Sequence, residues 1–215
     1  MDIGCGEGYN TRKAAQKGAK MSAIDISPVF IKYAKEAEEK EPLCIEYQIA
    51  SAVELPFGDS SFDFAVSTMA FMDMPDIDKA IKEVWRILKP NGFLQFSILH
   101  PCFFTPKHGW VRDKNGKQIA LTCGDYFKEL KGGIDTWMFG TAPQEIRDKG
   151  VQFKTPYFYV TLSNWLNLLL DAGFTLERFA EPTADDETIK QVPHLADTQI
   201  AAYFLIVRCR KSGGK

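Results

Sequence analysis

Three glycines at alternate positions, Gly4, Gly6 and Gly8, stand in the stretch Met1-Asp2-Ile3-Gly4-Cys5-Gly6-Glu7-Gly8, with a carboxylate, Asp2, two positions ahead of the first. Without Cβ atoms such a loop turns sharply and brings its backbone amides close to a ligand. Tyr9 to Gly18 then reads as a short helix, so the segment is a strand end, a glycine turn and a helix start, which suits a nucleotide-like ligand. The spacing narrows the class. A dinucleotide loop needs GxGxxG, where the second glycine admits the pyrophosphate and the third lets helix and strand pack closely. Counting from Gly4 puts Tyr9 in the third slot, and counting from Gly6 puts Thr11 there. The pattern is therefore D-x-G-x-G-x-G, which argues against a nicotinamide-dependent reductase. Its acid suits a ligand whose amino-acid end carries an ammonium group.

The elements that position this loop follow in a regular rhythm. Lys20 to Ile26 reads as a strand ending in a second carboxylate, Asp25. Ser27 is placed as N-cap and Pro28 as first residue of a helix, whose buried face is expected to hold Phe30, Tyr33, Ala34 and Ala37. Cys44–Ile49 and Phe62–Ser67 are further strands, the second almost wholly apolar as in a sheet covered on both faces. Ile77, Ala80, Ile81, Val84 and Leu88 form the stripe of a helix that Pro90-Asn91-Gly92 ends before a strand over Phe93–Leu99. This alternation predicts an α/β fold with an open, mostly parallel sheet and helices on both faces. From His100 to about Val160 the rhythm stops and aromatics accumulate, so residues 100–160 are expected to form an inserted cap within a single domain spanning 1–215. A helix over Thr161–Ala172, a strand over Thr175–Ala180, a short helix near Asp186–Val192 and a last strand over Ala201–Arg208 complete the chain.

Bulk properties exclude several classes. The 215 residues carry 26 basic and 28 acidic side chains, a formal net charge of −2, so nothing attracts the chain globally to nucleic acid or an anionic membrane. Five cysteines without CxxC pairing argue against a disulfide framework. No apolar run is long enough to span a bilayer and no leader pattern is apparent, so a cytoplasmic enzyme is the expectation. Oligomeric state is not legible.

With these elements in place, Asp2-Ile3-Gly4-Cys5-Gly6-Glu7-Gly8 resembles motif I of the class I S-adenosylmethionine-dependent methyltransferases. Three further stretches match that family in order: Asp25 at the end of the second strand; Ser51-Ala52-Val53-Glu54-Leu55-Pro56-Phe57; and Phe62-Asp63-Phe64-Ala65-Val66-Ser67 followed by Glu83-Val84-Trp85-Arg86-Ile87-Leu88-Lys89-Pro90-Asn91-Gly92. Ser67 to Asp76 and Phe96 to Cys102 are similar to the broad small-molecule branch, type 11. The resemblance implies a Rossmann-like sheet of seven strands with an antiparallel last strand, S-adenosyl-L-methionine as cofactor, and a small-molecule methyl acceptor rather than nucleic acid or membrane. It implies a cofactor site made by Asp2, Gly4, Cys5, Gly6, Gly8, Asp25, Ile26, Ser51, Ala52, Val53, Ser67, Thr68, Met69 and Met72, with Asp25 on the ribose hydroxyls and residues 51–53 on the adenine side. This chain departs from the pattern in having Ser51 where an acid is common and Met72 where a histidine is common. It also begins within the first strand, so a start assigned too far downstream, or a shortened product, is the expectation.

Methyl transfer from a sulfonium is an in-line displacement in which positioning contributes roughly 7–11 kcal/mol, and a base is needed only where the acceptor must lose a proton. His100, at the carboxyl edge of the fifth strand, either orients and deprotonates the acceptor or caps the strand on local backbone. Asp73 is the second catalytic candidate, or bonds its own turn. Met69 and Met72 line a sulfonium pocket or fill core gaps. Trp110, Trp137 and Tyr159 are the candidates for the acceptor wall, or pack the cap. His100, Cys102, His108 and Cys123 match no common zinc spacing, so no metal is expected. A cysteine nucleophile at Cys102, as in cytosine methylation, is disfavoured by the lack of basic clustering.

Overall fold

A computed structural model of the chain describes residues 1–137, 144–148, 150 and 152–213. The strands of the main sheet are β1 (Asp2–Ile3), β2 (Ser22–Asp25), β3 (Glu46–Ile49), β4 (Phe62–Thr68), β5 (Leu88–Leu99), β10 (Phe174–Ala180) and β11 (Phe204–Lys211). Their order is β10-β11-β5-β4-β1-β2-β3. The pairs from β3 across to β5 are parallel, and β11 runs antiparallel to both β5 and β10. The expected seven-stranded, mostly parallel sheet with an antiparallel last strand is what the structure shows.

Helices cover both faces. On one side lie α1 (Tyr9–Gln16) and α2 (Pro28–Lys40), and on the other α3 (Ile77–Ile87) and α5 (Leu162–Asp171). Alternate strand residues feed the two layers: Ile24 and Ala65 join the cluster containing Ile81, Val84, Trp165 and Leu169, while Ala23, Phe64 and Val66 join that of Ile31, Ala34 and Tyr47. Each fully buried aliphatic or aromatic side chain contributes about 1.5–3 kcal/mol.

Local signals account for most boundaries. Ser27 caps α2, its hydroxyl accepting from the Phe30 amide, with Pro28 first in the helix. Thr161 caps α5 by accepting from the Asn164 amide, and Gly173, at φ 93°, ends it beneath the Trp85 indole. α3 ends on a cation from far along the chain: Lys211 Nζ donates to the carbonyls of Trp85 and Leu88, both at 2.8 Å, and sits 3.9 Å from the Trp85 ring centroid.

Three expectations change. The buried face of α2 is Ile31 and Ala34, whereas Phe30 and Tyr33 are 44% and 51% exposed; the stripe is rotated by one residue, because Ile31 fits the sheet and the aromatics look outward. Strand β5 starts at Leu88, runs through Pro90-Asn91-Gly92, and absorbs the turn as a register shift with Asn91 at φ 66°. The last strand begins at Phe204, later than Ala201, because residues 193–199 form a 3-10 turn.

Between β5 and α5 lie two antiparallel hairpins outside the main sheet, β6 (Lys107–Arg112) with β7 (Gln118–Gly124) and β8 (Leu130–Trp137) with β9 (Phe153–Tyr159), and a short helix α4 (Gln144–Asp148). Helix α6 (Asp186–Gln191) precedes the 3-10 turn. No helix of the described residues is long and apolar enough to cross a membrane.

Candidate functional site

The glycine loop is locked to the second strand by its own amides. Gly4 and Cys5 both donate to the Ile24 carbonyl at 2.9 Å, and Gly8 donates back to Cys5 at 3.0 Å. The Gly6 amide donates to Asp25 Oδ2 at 2.8 Å, while Asp25 Oδ1 accepts from the Ser27 amide at 2.8 Å. Asp25 thus stitches the first loop to the start of α2 and still has acceptor capacity, since each carboxylate oxygen has two lone-pair sites.

The three glycines occupy positive φ, at 70°, 55° and 87°, but only two of them are enclosed by protein. A Cβ on Gly4 would fall 2.5 Å from the Ala70 methyl, and one on Gly8 would fall 2.5 Å from the Tyr47 hydroxyl. A Cβ on Gly6 would meet nothing within 4 Å. Gly4 and Gly8 are therefore required by packing, while Gly6 presents bare backbone to open space beside Asp25. Ile26 and Ile49, 74% and 58% exposed, flank that carboxylate, Ile49 being its partner across the β2–β3 pair. A polar strand end between two exposed isoleucines can grip a sugar diol while flanking a flat ring with apolar surface. These features fit S-adenosylmethionine.

The remaining predicted residues are placed as follows. Asp2 is buried, and the Thr11 hydroxyl donates to its Oδ2 at 2.5 Å; desolvation raises its pKa, opposed by that bond. Cys5 lies against the α1/α2 cluster, and burial pushes its thiol pKa up. Ser51 accepts from the Val53 amide at 3.4 Å in a turn beside buried Ala52. Ser67 is buried, its hydroxyl without a partner among the described residues, and Thr68 is exposed at the tip of β4. Met69 holds φ 55°, uncommon for a side chain with a Cβ, and its amide donates to Ser97 at 3.0 Å. Met72 joins Leu99, Pro101 and Trp165 around a void of about 10 Å³, too small for a ligand.

Asp73 is half-buried in a 3-10 turn, with its amide donating to Ala70. His100 is 3% exposed; its Nε2 lies 2.8 Å from Glu181 Oε1, and its Nδ1 accepts from the Cys102 amide at 3.2 Å. That pattern sets the Nε2–H tautomer and engages both ring nitrogens. The Tyr159 hydroxyl, buried, sits 2.9 Å from the Pro101 carbonyl and 3.0 Å from that of Tyr126, tying β9 to the exit of β5. Trp110 stacks on Tyr203 at 5.8 Å. The side chain of Trp137 lies outside the described residues.

Some residues of the site carry no signal in the loop motifs themselves. Glu83 Oε2 accepts from the Leu55 amide at 2.8 Å, and Arg86 donates to the Leu55 and Phe57 carbonyls while pairing with Glu83 and Asp59. Two side chains one helical turn apart on α3 therefore hold the 51–57 turn, and their i, i+3 spacing was the available signal. Ile49, Thr11 and Glu181 join the site through tertiary placement alone.

Comparison with known proteins agrees with this geometry. The family described as "Methyltransferase domain" matches residues 1–96. A Rickettsia felis protein named ubiquinone/menaquinone biosynthesis C-methyltransferase UbiE is 34% identical over 115 residues, covering 48% of this chain and 46% of that protein; this chain thus spans about half the length of that relative. An S-adenosylmethionine-dependent methyltransferase from Mesorhizobium loti superposes with a TM-score of 0.77 at 28% identity, covering 97% of this chain and 89% of the other. A structure from Listeria monocytogenes described as a putative enzyme of that kind gives 0.76 at 24%, covering 98% and 88%.

Proposed function

We propose that the chain is a class I S-adenosylmethionine-dependent methyltransferase, a reading supported by the family match over residues 1–96 and by the likeness to the Mesorhizobium loti structure, and that it transfers the methyl group of S-adenosylmethionine to a small-molecule acceptor, with residues 100–160 capping the acceptor side. The observation that carries the proposal is the Gly6 backbone, open to solvent and tied to Asp25. When bound, the cofactor supplies a methyl group on a positively charged sulfur, and the reaction is an in-line displacement.

The chain's own residues then do the holding. Asp25 accepts the ribose hydroxyls on the lone pairs that Gly6 and Ser27 leave, a charge-assisted pair. Gly4, Cys5, Gly6 and Gly8 present the backbone against which the amino-acid portion lies, with Asp2 behind the loop on the side of its ammonium group. Ile26 and Ile49 flank the adenine ring; Ser51, Ala52 and Val53 close its edge, held in place from α3 by Glu83 and Arg86. Thr68 and Met69 would form the floor next to the sulfur, with Met69 turned by its left-handed backbone and Ser67 and Met72 behind them. His100 acts as a positioning residue, because both of its nitrogens already bind protein. Asp73 stays the candidate nearest that floor for receiving an acceptor proton.

A second reading, a binding protein on this fold without turnover, is favoured by the engagement of both His100 nitrogens. Calorimetry with S-adenosylmethionine and S-adenosylhomocysteine tests the first proposal: micromolar binding of both is expected, and no heat with either ligand in a folded sample would overturn it. Release of S-adenosylhomocysteine in the presence of acceptors separates turnover from binding alone.

A further inference from the structure

A groove of about 500 Å³ lies at the carboxyl edge of the sheet, between the first turns of α5 and the ends of β5, β10 and β11. That volume is in the range that takes a small organic ligand. Its walls are apolar, including Phe103, Leu166, Phe179 and Leu205, and Phe179 is left 45% exposed. The polar lining is confined to one end, where His100, Cys102 and Glu181 meet. His100 is committed: Nδ1 accepts from the Cys102 amide and Nε2–H donates to Glu181 Oε1. Glu181 is held by that bond, is 57% exposed, and has its second oxygen in addition. Among the described residues no lysine or arginine lines the groove.

We propose that this groove binds the methyl acceptor and that the acceptor class is an apolar amine whose cationic head pairs with Glu181, while a separate nucleophilic atom at the far end of its body gives its lone pair to the methyl carbon as the carbon–sulfur bond breaks onto sulfur, its proton passing to solvent. The inference rests on the methyltransferase assignment for the word acceptor, and on the groove itself for the amine. An apolar trough with a single carboxylate at one end matches a molecule with one positive end and an apolar body. An anionic head would face Glu181 with no cation to offset it. The head site and the glycine loop share one edge of the sheet: β5 is two strands from β1, roughly 10 Å at the usual spacing, a gap that the apolar body of the ligand has to span. His100 fixes the rotamer of Glu181 and is a positioning residue.

The test uses matched probes, 3-phenylpropylamine, 3-phenylpropan-1-ol and 3-phenylpropanoate, titrated calorimetrically into the whole protein with and without S-adenosylhomocysteine. The amine is expected to bind about tenfold tighter than the alcohol, and the carboxylate weakest. Glu181→Gln is expected to remove the amine's advantage while leaving the alcohol within twofold, and Leu166→Trp, which fills the trough, to weaken all three. S-Adenosylhomocysteine binding stays within twofold in both variants. Equal or tighter binding of the carboxylate, an unchanged amine affinity in Glu181→Gln, or unchanged binding of all three in Leu166→Trp would each overturn the inference. Loss of S-adenosylhomocysteine binding by the wild-type protein, with the amine preference intact, would overturn the methyltransferase assignment and leave the amine site standing.

Discussion

Under the proposed function, Asp25 is the residue at which stability and ligand binding are most directly joined. Replacing it with alanine removes the acceptor of two backbone amides, Gly6 and Ser27, each bonded at 2.8 Å. A hydrogen bond to a charged group contributes about 1.5–3 kcal/mol. Asp25 is half-buried, so water replaces part of each bond and the low end applies, giving roughly 3 kcal/mol for the pair. At this chain length that corresponds to a fall in Tm of about 6–12 °C. In the proposed function affinity falls further, because the same carboxylate would serve the ribose diol and because Gly6 loses the restraint that presents it. A loss of roughly 3 kcal/mol in binding raises Kd about 100-fold. Asp25→Asn separates the two contributions. Its carbonyl oxygen keeps one amide, its NH2 faces the other, and it can no longer accept both bonds, so Tm falls between those of wild type and Asp25→Ala while the charge assistance to the ribose is lost. Thermal melts with and without S-adenosylhomocysteine, together with calorimetric Kd values, read both quantities. Should Asp25→Ala bind within threefold of wild type, the ribose assignment fails; should its unliganded Tm equal the wild-type value, the loop is held by something other than this carboxylate.

Gly8→Ala combines a positive φ of 87° with a Cβ that would lie 2.5 Å from the Tyr47 hydroxyl; we expect a loss of about 2–5 kcal/mol in denaturant unfolding, and a change below 1 kcal/mol would show that the loop adapts freely. Tyr47→Phe removes a buried hydroxyl without a partner among the described residues, so chemical denaturation is expected to find it neutral or stabilised by about 1 kcal/mol, contrary to the usual cost of altering a core aromatic. Burial raises the folded pKa of Asp2, so its contribution is most favourable below the unfolded value and is lost as pH rises from there through the folded value; Asp2→Asn is therefore expected to melt higher than wild type at pH 7.5, with the gain disappearing near pH 4, and a lower Tm at pH 7.5 would contradict the desolvation argument. Lys211→Met keeps most of the apolar stem but leaves the Trp85 and Leu88 carbonyls without their cation; a loss of about 1.5–3 kcal/mol is expected, and an unchanged unfolding midpoint would mean that water caps α3 equally well.

The glycine loop and its tie to Asp25 were legible because they are built by backbone at strand ends. Gly4, Gly6 and Gly8 report a loop whose φ values exclude most residues, and Asp25 marks a strand end by following four strand-forming positions. Such signals lie within a few residues of one another. The errors follow from tertiary choices. The stripe through Phe30, Tyr33, Ala34 and Ala37 and the one through Ile31 and Ala34 differ by one helical position, and the sheet, absent from any local window, selects the second. Pro90-Asn91-Gly92 reads as a stop in any local window, yet β5 passes through it because Lys89 and the neighbouring strand hold the register: Lys89 pairs with Asp63 on β4 at 2.9 Å.

The groove end of the molecule is illegible for a different reason. His100 and Glu181 are 81 positions apart, and their contact depends on β10 and β5 ending at one edge with β11 between them. No spacing rule links them, and each taken alone reads as a capping histidine or a surface carboxylate. The same separation has a chemical consequence. Altering Phe103, Leu166 or Phe179 changes the trough without touching the amides that hold Gly4, Cys5 and Gly6 to Ile24 and Asp25. In the proposed function, acceptor preference can therefore change by side-chain substitution around a fixed glycine loop; the family match ends at residue 96, before His100, Phe103, Leu166, Phe179 and Glu181, which only the fold brings together.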